Sequence, residues 1–236
     1  MKQIFHAAKD RGHVNFGWLD SHHSFSFGEY YDPRKMNFGA LRVLNDDIVS
    51  PSMGFGTHPH ANMEIVSIPL FGELAHKDST GTNGVIRTGD VQIMSAGSGI
   101  RHSEFNHSAE KDVNFLQIWV LPKAHNIEPR YDQKSYSDST FENKWGIVVS
   151  PKHSEAVWIN QDAYFSMIHS DPNSNLKYTL HESGNGVYFF LIQGKVSING
   201  DSLERRDAMG VWESEEVSID VGVRSQILAI EVPMKL

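Results

Sequence analysis

The chain of 236 residues contains no cysteine. Disulfide bonds, thiolate metal sites and cysteine nucleophiles are therefore outside its chemistry. It also lacks any apolar run near the ~18 residues that a membrane helix requires. The opening residues, Met1 to Asp10, hold no apolar stretch of signal-peptide length. The expectation is a soluble, cytoplasmic protein. Positive charge is in deficit, with 21 Lys and Arg against 29 Asp and Glu and a formal net charge of −8. No basic stripe interrupts the mixture, so neither direct nucleic-acid binding nor a membrane surface is expected. Helical periodicity is scarce as well. What remains is a succession of short alternating or apolar segments broken by turn residues, the signature of an all-β barrel or sandwich.

In chain order, Ser24-Phe25-Ser26-Phe27 alternates as a half-buried strand does, and Tyr31-Asp32-Pro33-Arg34 marks a turn. Leu41 to Leu44 reads as a strand closed by Asn45-Asp46-Asp47. From 51 to 122 strands follow one another: Glu64 to Leu70, Phe71 to His76, a Gly-rich hairpin tip at 77–84, Val85 to Arg87, Val91 to Met94, and the apolar Phe115 to Val120. Residues 122–150 turn polar and Pro-punctuated. The division expected is a first domain at 1–125, a linker or crossover at 126–145, and a second domain at 146–236.

Two stretches concentrate the chemistry. Successive strand residues alternate faces, so His58 and His60 share a face, and Glu64 joins them if the strand continues. His102, Glu104 and Asn106 share a face in the same way. Glycines precede each pair (Gly54 and Gly56, Gly97 and Gly99). Facing each other inside a barrel, the two strands offer three imidazoles and at least one carboxylate to one point, a donor set for a divalent transition metal. Without thiolates, such a set points to an open, functional site rather than a closed structural one. Glu104 can bind a metal and also accept a proton from a substrate hydroxyl. Glu64 is read as a partner orienting a histidine or a further ligand, and Asn106 as a hydrogen-bonding neighbour. His13, His22 and His23 are read as structural or surface residues, His76 as a solvated hairpin-edge residue, and His107 as facing away.

The second half repeats the first in outline. Aligning Gly72 with Gly194 places Leu180 and Glu182 at the positions of His58 and His60. Aligning Asp90 with Asp207 places Ile219 and Val221 at those of His102 and Glu104. Three of the four ligand positions are apolar, so the second half is expected to keep the shape without metal ligands.

The stretches His58-x-His60-x-x-x-Glu64 and Gly99-x-x-His102-x-x-x-Asn106 resemble the two cupin motifs. The forms Gly-Thr-His58-Pro-His60 and Ser-Ala-Gly-x-Gly-Ile-x-His102-Ser-Glu104 resemble the pirin family, and most of all its bacterial quercetinase-type members. Arg11-Gly12-His13, Phe25-Ser26-Phe27, Tyr31-Asp32-Pro33, Asn45-Asp46-Asp47 and Gln117-Ile118-Trp119 fall in the family's order. Gly97 departs from the general cupin pattern, where proline is common. The resemblance implies two tandem cupin (double-stranded β-helix) barrels, with metal in the first. It implies ligands His58, His60, His102 and Glu104, with iron(II) the expected ion and manganese, nickel, copper or zinc the alternatives. It further implies a dioxygenase that opens a flavonol such as quercetin with O2 and releases carbon monoxide. Its partners would then be a small aromatic substrate and O2. Two other readings stand beside this one. The first is a metal- or redox-responsive regulator with a protein partner, as animal members are associated with transcription factors. The second is a cupin acting on another small molecule.

Overall fold

The computed structural model describes residues 1–235. Strands dominate, and among the described residues the helices are two single-turn 3-10 segments, Ala8–Asp10 and Asp138–Thr140. Among the described residues no helix is long and apolar enough to cross a membrane.

Each half is a pair of facing sheets. In the first, a seven-stranded antiparallel sheet runs in the spatial order Arg130–Ser135, Asp90–Ser95, Glu64–Phe71, Val113–Val120, Leu41–Val49, Leu19–His23, Gly12–Asn15. Opposite it lie Gly54–His60, Ile100–Asn106, Glu73–Asp78 and Asn83–Arg87. In the second half the larger sheet runs Lys2–His6, Ala208–Trp212, Asn185–Gln193, Ser225–Pro233, Tyr164–Ser170, Gly146–Val149. The smaller runs Ser174–Thr179, Glu216–Val221, Lys195–Ile198, Asp201–Glu204. The fold is all-β, two tandem cupin barrels in one chain, as the sequence implied.

The two larger sheets pack back to back. Val66, Ile68, Leu116 and Ile118 of the first meet Phe165, Tyr188, Phe190 and Leu228 of the second in one apolar core. This is why Glu64–Phe71 and Asn185–Gln193 read as nearly continuous apolar runs: both of their faces are buried. Two strands cross the boundaries drawn from the sequence. Lys2–His6 pairs with Ala208–Trp212 in the second half. Arg130–Ser135, inside the segment read as a linker, pairs with Asp90–Ser95 in the first. Both are edge strands, polar or exposed along much of their length, so the apolar pattern that betrays an inner strand is missing.

The interiors differ. The second barrel is filled with Tyr178, Leu191, Val196, Met209, Val217, Ile219 and Val221. The first has an apolar cluster at each end, Leu19, Leu74, Ile86 and Phe115 at one and Ile65, Met94 and Ile100 at the other. Between them Ser67, His76, His102, Glu104 and Gln117 are buried. A buried polar layer requires partners, and here the functional side chains converge.

Candidate metal centre

Ile100–Asn106 lies between Gly54–His60 and Glu73–Asp78. On one side His102 pairs with His58 and Ile100 with His60. On the other, His102 pairs with Asp78 and Glu104 with His76. Opposed residues share a face, so this register aims His58, His102, His76, Glu104 and Asp78 into the barrel. Two glycines make the approach possible. A Cβ on Gly54 would lie 2.2 Å from the Glu104 carbonyl oxygen, so only glycine lets the two strands come this close. Gly97, in the turn before His102, has φ +47°, and a Cβ there would meet the Ile127 carbonyl oxygen at 2.1 Å. Proline, with φ fixed near −65°, cannot take that conformation. The departure at Gly97 therefore reflects a turn of a different shape, not only a softer one. A bulge between Phe55 and His58, the residues opposite Glu104 and His102, re-aims the histidine pair.

His58, His60 and His102 each place a donor nitrogen within 4.8 Å of the others. Their ring centroids are 4.5 to 4.9 Å apart. His58 and His60 are half-buried and His102 is buried. His58 Nδ1 donates to the Gly56 carbonyl at 2.8 Å, which leaves Nε2 with its lone pair. Burial, with the neighbouring histidines adding to it, holds His60 down to about 4 and His102 to about 3. His60 and His102 are thus neutral near pH 7 and able to donate lone pairs. Both nitrogens of His102 lack a hydrogen-bond partner although they are buried. Imidazole rings converging around an orphaned, buried imidazole fit a transition metal.

Glu104 forms a second group with His102 and His76, again within 4.8 Å. Its carboxylate accepts from Gln117 Nε2 at 2.7 Å and Ser67 Oγ at 3.2 Å. Burial pushes it up to about 7. His102 is the member common to both groups, and the four residues drawn from the sequence are not gathered within 4.8 Å as one set.

Two expected neighbours lie elsewhere. Glu64 does not continue the His58–His60 strand. The chain turns at Asn62 (φ +51°) and Glu64 starts a strand of the opposite sheet. Its carboxylate accepts from Ser95 Oγ at 2.7 Å and from the Asn160 backbone N–H at 3.1 Å, toward the second half. Asn106 donates its amide to the Val49 and Lys111 carbonyls and accepts from the Ser108 N–H, pinning a loop, with no histidine among these side-chain partners. His76, read as a solvated edge residue, is instead 3% exposed, because Glu73–Asp78 is an inner strand between Ile100–Asn106 and Asn83–Arg87. Only the alternation of Leu74, His76 and Asp78 in the sequence hinted at its inward direction. His107 is exposed, 3.9 Å from Glu73. His13 and His22 stack at 4.4 Å beside Asp20 on an outer hairpin. Among the described residues the second barrel holds no such donor group. Ile219 and Val221 are core residues there, and Glu182 is bound to Lys152 and Tyr164.

A cavity of about 200 Å³, separated from the candidate ligands by intervening side chains, is walled by Phe16, Leu19, Phe27 and Phe55, with Asn45 and Asp47 as polar members. Asn45 pairs with Gln117, the residue that holds Glu104. Phe27 packs on Trp119 at 5.2 Å, and Trp119 on His60 at 4.9 Å. Larger clefts near 1100 Å³ are open grooves lined by second-half and crossover residues, none of them these histidines, whereas His60 itself lines an open cleft of about 460 Å³ with Pro59, Ser79, Ile100 and Arg101.

Asp47 is fully buried, hydrogen-bonded by the Ser21 hydroxyl, and pushed up by burial to about 7. Its folded pKa therefore lies above its unfolded value. Between pH ~4 and ~7 the folded chain holds a proton that the unfolded chain has lost, so stability falls as pH rises. Three pKa units correspond to about 4 kcal/mol as an upper bound. Asp47→Asn keeps an acceptor for Ser21 and removes the ionisation. Its stability advantage over the wild type should grow from near zero at pH 4 to as much as about 4 kcal/mol at pH 8 in urea unfolding. An advantage independent of pH would refute this.

Fold and site together define a bicupin with a cluster of metal-donor side chains in its first barrel. Residues 4–120 match the Pirin family model, and 147–232 match the quercetinase C-terminal cupin domain. The quercetin 2,3-dioxygenase of Escherichia coli strain K12 is 38% identical over 228 residues, 96% of each chain. A pirin-like protein of Caulobacter vibrioides is 35% identical, over 93% of this chain and 95% of its own. The crystal structure of YhhW from E. coli superposes with a TM-score of 0.94 at 36% identity, covering 98% of each chain. The nickel(II) complex of the bacterial pirin YhhW gives 0.93, covering 98% of this chain and 99% of that one. The chain belongs to the pirin family.

Proposed function

We propose that the protein is a metal-dependent dioxygenase acting on a flavonol such as quercetin, with His58, His60, His102 and Glu104 as the ligand set. The observation that carries the reading is the convergence of three imidazoles around the buried, unpartnered ring of His102. The names of the relatives supply the substrate class. Bound there, a divalent transition metal supplies Lewis-acid polarisation and a template for substrate and dioxygen. The protein's own residues do the rest. Phe27, Phe55 and Trp119 receive an aromatic ring system and exclude water from it. The Trp119 Nε1–H, buried and unpartnered, is a donor available to a ligand oxygen. Glu104, held at one oxygen by Gln117 and at the other by Ser67, accepts the proton of the flavonol 3-hydroxyl. Removal of that proton makes the ring electron-rich enough to react with O2. Both oxygen atoms enter the product and one ring carbon leaves as carbon monoxide.

Oxygen uptake and carbon monoxide release with quercetin test this in protein loaded separately with iron, manganese, nickel, copper or zinc. The expected result is metal-dependent turnover, with the most active form naming the working ion. Tight metal binding without turnover in any form would remove the flavonol from the reading and leave the metal centre standing.

A further inference from the structure

Three buried ring nitrogens around the centre have no hydrogen-bond partner: both nitrogens of His102, and Nδ1 of His76. An orphaned buried polar atom carries an uncompensated desolvation cost, so their grouping calls for a cause. A metal on one nitrogen of His102 removes one orphan. Two remain, and they belong to adjacent rings whose centroids are 5.3 Å apart. A donor nitrogen of each ring lies within the same 4.8 Å group.

The hydrogen on His76 is placed by Asp78. Asp78 Oδ1 is occupied by Thr80 N (2.8 Å), Thr80 Oγ1 (2.6 Å) and Thr82 N (3.2 Å). Its Oδ2 faces His76 Nε2 at 3.1 Å. A carboxylate can only accept, so Nε2 carries the hydrogen and Nδ1 carries the lone pair. The ring of Tyr131, 4.9 Å away, packs on His76 and limits its rotation. His76 is thus a fixed acceptor beside an imidazole that has a ring nitrogen to satisfy.

We propose that His76 is a positioning residue for the metal ligand His102. Its Nδ1 accepts the N–H of the His102 nitrogen turned away from the metal, and Asp78 sets the tautomer that makes this possible. The chain Asp78–His76–His102 satisfies the two remaining orphans with one hydrogen bond. It also fixes which nitrogen of His102 offers its lone pair, the role that outer partners play at metal-bound histidines. The inference rests on the metal reading of the three-histidine cluster.

Asp78→Asn is the sharpest test. The variant keeps Oδ1 for Thr80 and Thr82, and so keeps the loop. It places an amide donor against His76 Nε2, which moves the hydrogen to Nδ1 and sets N–H against N–H. His76→Phe removes the acceptor and keeps a ring on Tyr131. His76→Asn restores an acceptor oxygen near the Nδ1 position. Cobalt(II) affinity by chelator competition should fall about ten- to a hundredfold in Asp78→Asn and His76→Phe and recover in His76→Asn. The visible spectrum of the cobalt form should change in the two weakened variants. In the zinc-loaded wild type, nitrogen NMR should show His76 protonated at Nε2 and free of metal. Equal affinity and an unchanged cobalt spectrum in Asp78→Asn would overturn the inference alone, as would a zinc-bound His76 nitrogen. A wild type that retains neither cobalt nor zinc would overturn the metal reading with it.

Discussion

His102→Ala abolishes metal retention and quercetin-dependent oxygen uptake together, whereas Glu104→Gln keeps a metal and loses turnover by about 10²–10⁴-fold; this contrast is the expected result. The two residues stand two positions apart on one strand, yet their surroundings differ. His102 is the one residue common to both donor groups, and it is buried with no other partner for either nitrogen. Its loss removes a proposed ligand and opens a void between His58 and His76. Glu104 is already held by Gln117 and Ser67. Its amide counterpart keeps a carbonyl oxygen for the metal and for Ser67, with the Gln117 amide turned over so that its oxygen accepts the new N–H, but it cannot take a proton from the substrate near neutral pH. Metal content by elemental analysis and oxygen uptake by electrode separate the two effects. Retention of a full metal complement by His102→Ala would dismantle the proposed ligand set. Undiminished turnover in Glu104→Gln would remove the proton acceptor from the mechanism and leave the site in place.

Arg206→Met is expected to lower unfolding free energy by about 3–5 kcal/mol, the cost of breaking a buried charge pair from one side. Arg206 sits in the second barrel but reaches into the first. Its Nε donates to Asp46 at 2.8 Å and its NH2 to Asn114 at 3.2 Å. Arg11 approaches the same carboxylate at 3.6 Å, and both guanidinium groups lie over the Phe190 ring. Without Arg206, Asp46 keeps Asn114 and a distant Arg11, and its charge is left underpaired inside the molecule. Asp46→Asn in the same chain should return part of the loss, because the uncompensated charge disappears with it. Urea unfolding of the single and double variants measures both. A single-variant loss below about 1 kcal/mol would show that the ion pair is no more valuable than a surface pair.

The candidate site was legible wherever it lay on one strand. The alternation of His58 with His60, and of His102 with Glu104, follows from the two-residue period of an extended chain, and the structure keeps those faces. Glu64 was misread because counting by twos stops at a turn. Asn62 reverses the chain, and Glu64 enters the opposite sheet on a new count. His76 was misread because nothing local says whether a hairpin strand is an edge or has a further neighbour. Here Ile100–Asn106 covers it, and that pairing brings together residues far apart in the chain.

By itself, the sequence determined the all-β character and the absence of thiolates from the donor groups. Each of these is written in residue type and in the period of a single strand. Only the tertiary structure decided that Lys2–His6 completes the second barrel, that Arg206 reaches Asp46, and that Asp78 and His76 stand behind His102. These depend on which strand lies beside which and in what register. That choice is made by the joint burial of many side chains, not by any one segment.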